Sequence, residues 1–298
     1  HFTIEQQGRK AAEFMLQFNG TAGVWRRQAI EDAGGWNDDT LTEDLDLSIR
    51  AQLKGWEITY LEEVGSPAEL PSEMNGLKSQ QFRWMKGGAE TARKMLPVVW
   101  RSNLTFNKKL HTTFHLLAST IFVFVFMLGV LSVPLLWVLH DLDLQTSMFS
   151  VFIIGTFSII CVYYVANVKN EFTNPSSSLL KSIVKFIFLF PIFLAMSMGL
   201  SLHNTVAVVQ GYIGKKSAFI RTPKFNIQNL RDSFRRRKYL QRKITWTTAL
   251  EGGLSLYFIF AILLGIRLND TSLILFHVLL ALGYGSIFFL SLKHLDLK

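Results

Sequence analysis

TEDLDLSIRAQLKG, residues 42–55, decides how the first part of the chain folds. Its apolar residues recur every four positions, at Leu45, Ile49 and Leu53. This spacing predicts an apolar stripe on a helix over residues 43–54. Thr42 is a typical N-cap residue, and Gly55 is a typical residue for the end of a helix. We therefore expect one short amphipathic helix here.

The acids at the first two positions of this helix, Glu43 and Asp44, have two interpretations. Glu43 and Asp44 complement the positive end of the helix dipole, so capping alone explains them. A carboxylate at a helix tip that faces a cleft can also take a proton from an attacking sugar hydroxyl. Asp44 is the natural candidate for this general base, because Asp46 lies about 200° away around the helix.

A second motif, QQFRW at residues 80–84, follows on a basic stretch. Residues 75–96 predict a helix that is broken around Gly87 and Gly88. The Gln, Arg and Trp side chains span little more than one turn and can share a helix face. Trp can stack on a sugar ring, Arg can match a diphosphate, and Gln can bond a hydroxyl. A membrane-surface helix with a snorkelling Arg and an interfacial Trp is the structural alternative.

Three other segments of the first hundred residues have local signals. FNGTAG, residues 18–23, has small residues that let backbone approach a ligand closely, and a plain loop is equally compatible. Residues 4–14 have helical character. Residues 56–61 alternate as a short strand does.

Positive charge is concentrated near the end of the chain. The net charge is +9, and residues 215–243 hold eleven Lys and Arg against one acid, Asp232. Such a block can bind nucleic acid, but between apolar spans it is typical of a cytoplasmic loop near anionic lipid. The single cysteine, Cys161, excludes disulfides within the chain and cysteine-based zinc sites.

From residue 113 the sequence is typical of a membrane protein. Four apolar runs have about the length needed to cross ~30 Å of hydrocarbon. They are residues 113–139, 148–167, 247–266 and 272–292. A fifth segment, 182–211, is interrupted by polar residues and Pro191, and the parity of the loop charges predicts that it is re-entrant or interfacial.

In this order the motifs resemble the processive, membrane-embedded family 2 glycosyltransferases, the clan of cellulose, chitin, hyaluronan and mannan synthases. The amino-acid sequences of these motifs are most similar to those of cellulose-synthase-like mannan and glucomannan synthases and their bacterial relatives. The matching stretches are FNGTAGVWR at 18–26, AGGW at 33–36, EDLDL at 43–47, QQFRW at 80–84 and RTPKFN at 221–226.

The resemblance implies a fold class. Residues 1–100 would be the C-terminal part of an α/β lobe of the GT-A type, including the interfacial helix. Residues 101–298 would be an all-α transmembrane channel region of about four spans plus one re-entrant or interfacial segment, with a basic gating loop at 212–246. The lobe would be cytoplasmic, at a bacterial plasma membrane or, in a eukaryote, at the Golgi membrane.

The resemblance also implies residue roles in an inverting hexosyl transfer. Asp44 would be the general base, within a catalytic set of Thr42, Glu43 and Asp44. The acceptor end and the donor diphosphate would be held by Gln80, Arg83 and Trp84. The acceptor site would be lined by Asn19, Gly20 and Thr21. The gating loop over the nucleotide would include Phe219, Arg221, Thr222 and Lys224.

The implied partners are a nucleotide-sugar donor, a glycan acceptor and the bilayer, with no nucleic acid. GDP-mannose is favoured over UDP-glucose. A divalent cation, Mg²⁺ or Mn²⁺, normally offsets the diphosphate charge. The family's metal-binding Asp-x-Asp and its nucleotide-base acids are not found, and neither 44–46 nor 141–143 is assigned as that site. We therefore expect the metal ligands upstream, and residues 1–298 alone to be inactive.

Two other functions remain open at this point. A non-processive transferase acting on a lipid-linked acceptor would share Asp44, but it needs no Gln-x-x-Arg-Trp motif and fewer spans. A transporter with a cytoplasmic lobe would carry charges at mid-membrane, and the four apolar runs contain almost none.

Overall fold

The structure is a computed structural model that describes residues 2–142, 151–168, 178–219 and 244–295. Regular structure in these ranges is helical: a π-helical turn Phe2–Gln6, α1 Gln7–Ala11, α2 Arg27–Asp32, α3 Glu43–Leu53, α4 Met74–Arg101, α5 Phe106–Leu116, a 3₁₀ turn Ala118–Thr120, α6 Ile121–Asp141, α7 Val151–Val168, α8 Leu179–Gly199, α9 Ser201–Ile213, α10 Trp246–Arg267 and α11 Ile274–Lys293.

The predicted strand at residues 56–61 is wrong. The side chains of this segment do alternate between half-buried and exposed. A strand, however, needs a neighbouring strand to complete its hydrogen bonds, and none is present among the residues described. The α/β character expected of the lobe is accordingly not seen in this part of the chain.

The chain divides into two compact units. The first, called the lobe below, holds residues 2–123 and 203–219 among those described. The second, called the membrane unit, holds residues 124–142, 151–168, 178–202 and 244–295.

The lobe is built on the apolar stripe of α3, as predicted. Leu45 and Ile49 are buried, and α4 and α5 complete the same core with Ala92, Met95, Val99 and Leu116. The helix ends where expected, because Gly55 takes a positive φ of 91° that glycine adopts without strain. Thr42 occupies the N-cap position, but its side chain makes no capping hydrogen bond. The predicted N-cap position is thus confirmed, and the Thr42 hydroxyl lies 3.2 Å from the Thr91 hydroxyl on α4.

The predicted break in the second helix is also wrong. Helix α4 runs without interruption for 28 residues through Gly87 and Gly88. Glycine costs a helix interior about 1 kcal/mol relative to alanine, which favours a break in isolation. Here Gly87 is buried against Thr42, so the missing side chain permits a close contact that offsets this cost.

Four helices are long and apolar enough to cross a membrane: Ala118–Asp141, Leu179–Gly199, Trp246–Arg267 and Ile274–Lys293. Three of them confirm the predicted runs 113–139, 247–266 and 272–292. The fourth helix lies in the segment 182–211, which was predicted to be re-entrant or interfacial. This segment instead forms two helices, α8 and α9, and α8 has the length of a span. Pro191 lies inside α8, and the break falls at residue 200. The predicted run 148–167 contains the apolar helix α7, Val151–Val168, and the first residues of that run lie outside those described.

Candidate active site

Polar side chains on α3 form hydrogen bonds with an irregular segment, residues 16–20, which runs antiparallel to the helix. Gln52 accepts from the Leu16 amide at 2.9 Å and donates to the Leu16 carbonyl at 2.8 Å. One helical turn earlier, the Ser48 hydroxyl accepts from the Phe18 amide at 2.9 Å. Four helical residues and two extended residues both advance by about 6–7 Å, so the two spacings match.

Asp44 continues this pattern by one more turn. Its Oδ2 accepts from the Gly20 amide at 2.7 Å, and its Oδ1 accepts from the Leu45 amide at 2.8 Å. The Ser48 hydroxyl donates to the Asp44 carbonyl at 2.6 Å. Gly20 has a positive φ of 60°, which turns the chain at the carboxylate. The candidate base and the FNGTAG segment, chosen separately from the sequence, therefore meet.

Burial raises the pKa of Asp44, and the negative charge of Glu43 adds to this, against the lowering effect of the Leu45 and Gly20 amides. A carboxylate with a raised pKa is a better proton acceptor near neutral pH. Each oxygen uses one acceptor position for an amide, so positions remain for an incoming hydroxyl.

Helix α4 fixes the segment that enters α3. A Cβ on Gly87 would lie 2.7 Å from the Thr42 hydroxyl and 2.8 Å from the Thr42 amide. The Glu90 carboxylate accepts from the Leu41 amide at 2.8 Å. Because these contacts surround the residues just before Asp44, α4 sets the position of the base.

Arg83 is the member of the QQFRW motif that the structure connects most clearly to the other motifs. Burial lowers its pKa, and the negative charge of Glu43 opposes this, so the two side chains interact. The guanidinium carbon lies 4.7 Å from the centre of the Phe219 ring, a cation–π geometry. Trp84 is 49% exposed and Gln80 is half-buried, so both are accessible to a ligand.

The remaining predicted site residues are less constrained. The Asn19 side-chain amide donates to the Gln17 backbone carbonyl at 3.3 Å, within its own segment, and Thr21 is exposed. Arg221, Thr222 and Lys224 lie outside the described residues.

The described residues contain no side-chain cluster that would hold a divalent cation by itself. No group of three or more His, Cys, Asp or Glu side chains in the described ranges is arranged to hold a metal ion.

Sequence reasoning missed Ser48 and Gln52, which hold the segment that carries Gly20. Their signal was present, because Asp44, Ser48 and Gln52 recur at four-residue intervals beside the apolar stripe. It also missed Glu90 and Lys86, whose partners are more than 45 positions away in the sequence. No local pattern marks such contacts.

Comparison with known proteins gives a consistent picture. Residues 2–167 match the family described as "Glycosyl transferase family group 2". The chain is 47% identical over 116 residues to glucomannan 4-beta-mannosyltransferase 1 of Oryza sativa subsp. japonica, covering 39% of this chain and 22% of that protein. It is 47% identical over 110 residues to glucomannan 4-beta-mannosyltransferase 7 of Arabidopsis thaliana, covering 37% and 20%.

The matched stretch is thus about a fifth of the length of these relatives. A probable glucomannan 4-beta-mannosyltransferase 6 of Oryza sativa subsp. japonica is 41% identical over 132 residues, covering 42% of this chain and 23% of that protein. No solved structure gives a significant match.

Proposed function

The chain belongs to glycosyl transferase family group 2, and we propose that it forms part of a membrane-embedded, inverting hexosyltransferase that extends a β-linked glycan. The observation that carries this proposal is the hydrogen bond from the Gly20 amide to Asp44, which joins the FNGTAG segment to the Thr-Glu-Asp motif. The negative charge of Glu43 also acts on Arg83 of the QQFRW motif and opposes the lowering of its pKa by burial.

Asp44 acts as the general base in this proposal. The acceptor hydroxyl gives its proton to the carboxylate as the hydroxyl oxygen forms a bond to the anomeric carbon of the donor. The bond between that carbon and the diphosphate breaks on the opposite face, which inverts the configuration. The raised pKa of Asp44 supports this role, because the proton acceptor is then better matched to neutral pH.

Arg83 faces the leaving group in this proposal. The departing diphosphate gains negative charge, and a guanidinium provides a planar set of donors that matches phosphate oxygens. The negative charge of Glu43 favours the charged form of Arg83. Trp84 offers an exposed ring on which the acceptor sugar can stack. A bound Mg²⁺ or Mn²⁺ would offset the diphosphate charge, and its ligands are proposed to lie upstream of this chain.

The four span-length helices support a membrane location, and we propose that the lobe is cytoplasmic and that the helices lead the product across the bilayer. The relatives are named for mannosyl transfer to glucomannan. We therefore propose a mannosyl donor such as GDP-mannose first, and UDP-glucose second.

The test uses membrane vesicles that contain the full-length protein, labelled GDP-mannose or UDP-glucose, and Mg²⁺ or Mn²⁺. We expect long, mannanase-digestible product from GDP-mannose, and none with Asp44→Asn. Short lipid-linked product would favour the non-processive transferase. Transfer that Asp44→Asn leaves intact would reject the assignment of the base.

A further inference from the structure

We infer that the ion pair of Lys86 and Glu90 on α4 is a positioning device, which holds residues 215–219, in the predicted gating loop, and the loop before Asp44 on adjacent turns of one helix. This inference rests on the proposed function. It concerns only the described residues of the lobe, and neither side chain belongs to the motifs identified in the sequence.

Lys86 is fully buried, which is unusual for a lysine. Its ammonium lies 3.7 Å from the Glu90 carboxylate, one turn along α4. It donates hydrogen bonds to the Lys215 carbonyl and to the Ser217 hydroxyl. The exposed segment 215–219 thus covers the ammonium group and is bonded to it.

Glu90 makes the other half of the connection. While one of its oxygens faces Lys86, the other accepts from the Leu41 amide at 2.8 Å. Leu41 immediately precedes the Thr-Glu-Asp motif. The pair therefore connects α4 to two segments, the one that contains Leu41 and the one that begins at Lys215, through charge-assisted hydrogen bonds.

The path of the chain explains why this position matters. Helix α9 packs closely on α4, since a Cβ on Gly211 would lie 2.6 Å from the Lys86 carbonyl. The chain turns at Gly214, whose φ is 75°, and then runs back along α4 from Lys215. This return brings Phe219 over Arg83. The bonds from Lys86 hold the start of that return.

A buried ion pair is a costly way to stabilise a helix contact, because desolvation offsets much of the attraction between the charges. Apolar side chains of similar size would pack the same space. The pair provides directional hydrogen bonds instead, because each charged group bonds a particular backbone atom of a different segment. A positioning role explains this choice, whereas simple packing does not.

The test compares Lys86→Met, Lys86→Arg and Ser217→Ala in the full-length protein in membrane vesicles. Ser217→Ala removes a single exposed partner and should not prevent folding. The exposed Arg27–Glu31 pair on α2 provides a matched control through Glu31→Gln. Deuterium uptake is measured for peptides that cover residues 214–219 and 39–42, and donor KM and kcat are measured for sugar transfer.

We expect Lys86→Met to raise uptake in both peptides and to raise donor KM about tenfold, as the loss of a charge-assisted hydrogen bond would. Kcat should change less than KM. Lys86→Arg should restore most of the wild-type KM, Ser217→Ala should raise uptake in 214–219 only, and Glu31→Gln should change neither peptide.

Unchanged uptake in both peptides of Lys86→Met would overturn the inference, as would a fall in kcat alone with constant KM in all variants. If Lys86→Met does not fold, the same decision rests on Ser217→Ala and its 214–219 peptide. If the wild-type protein transfers no sugar, the proposed function fails, and the uptake measurement still decides whether the pair holds the two segments.

Discussion

Different kinds of contact stabilise the interior of the lobe and the interior of the membrane unit. In the lobe, charged side chains bond particular backbone atoms, as Asp44 bonds the Gly20 amide and Glu90 bonds the Leu41 amide. In the membrane unit, helices α8 and α11 approach until their backbones touch at Gly199 and Gly283. Lipid tails provide no hydrophobic drive between helices, so close packing of small residues replaces it. Hydrogen bonds thus fix the positions of segments in the lobe, whereas close packing of helix backbones fixes them in the membrane unit.

Hydroxyl groups add a second component in the membrane unit. Tyr257 donates to the Val130 carbonyl at 2.8 Å, and the hydroxyls of Ser201 and Tyr284 lie 2.8 Å apart. These contacts are neutral, unlike the ion pairs of the lobe. If these contacts have the roles described, a methyl group added at a close-packed glycine should mainly lower stability in the membrane unit. The same change in the lobe should mainly lower activity.

The largest effect is expected from Gly283→Ala. A Cβ there would overlap the Ala195 carbonyl oxygen and lie 3.0 Å from the Gly199 amide nitrogen. Backbone cannot move aside as a side chain can, so we expect a loss of about 3 kcal/mol in stability. Thermal unfolding in detergent measures this.

Gly253→Ala on α10 is the matched control, because nothing lies within 4 Å of a Cβ at that position. It should be neutral, or stabilising by up to about 1 kcal/mol through helix propensity. Equal unfolding temperatures for the two variants would show that close backbone packing does not hold the membrane unit.

The next effect concerns the lobe. Gly87→Ala would press on Thr42 and displace Asp44, and an error of about 1 Å near the reacting atoms can reduce a rate about 100-fold. We expect a 10- to 100-fold loss in sugar transfer, by the same reasoning, with a smaller loss of stability.

Its control is the next residue. A Cβ on Gly88 would lie 3.5 Å from the Ser119 hydroxyl, an ordinary contact. Gly88→Ala should therefore keep near-normal activity. Similar activities for the two variants would contradict the idea that α4 sets the position of the base.

Part of this organisation could be read from the sequence. The four-residue spacing of Leu45, Ile49 and Leu53 correctly placed α3 and its buried face, and three of the four span-length helices coincide with apolar runs, because both signals are local periodicities. The prediction for residues 182–211 depended on where the helix breaks, and Pro191 was a misleading guide, because α8 continues through it to Gly199. Membrane helices tolerate proline because neighbouring helices and Ser or Thr side chains can satisfy the backbone groups that it frees.

Candidate site residues could be chosen from the sequence because their motifs are also short and local. Asp44, Arg83 and Phe219 lie in short motifs, and the structure connects each of them to another motif. The residues that hold the motifs in place, such as Glu90, contact segments far away in the sequence. Such contacts follow from the fold and not from local patterns, so reading the chain alone could not supply them.

A smaller effect is expected from Ser48→Ala. The hydroxyl bonds both the Phe18 amide and the Asp44 carbonyl. Its loss leaves the Phe18 amide without this acceptor and should cost about 1 kcal/mol of stability. Thermal unfolding should show this, while Thr21→Ala, at an exposed position, should leave the unfolding temperature unchanged. A similar shift for both variants would argue against the bonding of residues 16–20 to α3.

The smallest effect is a shift in the pH profile. Burial raises the pKa of Asp44, and Glu43 adds to this. A base must be deprotonated, so transfer should fall as pH decreases through this raised pKa. Glu43→Gln removes the neighbouring negative charge, and the acid limb of kcat/KM should move to lower pH. A limb that stays in place, or moves to higher pH, would show that Glu43 does not act on Asp44 in this way.

The most direct measurement of the central claim compares donor binding with single-turnover transfer in the full-length wild-type protein and in Asp44→Asn. If Asp44 is the general base, Asp44→Asn should bind the nucleotide-sugar about as tightly as the wild-type protein, and transfer the hexose at least about 100-fold more slowly. Transfer within about threefold of the wild-type rate, at equal donor binding, would contradict the account, because general-base catalysis contributes far more than that.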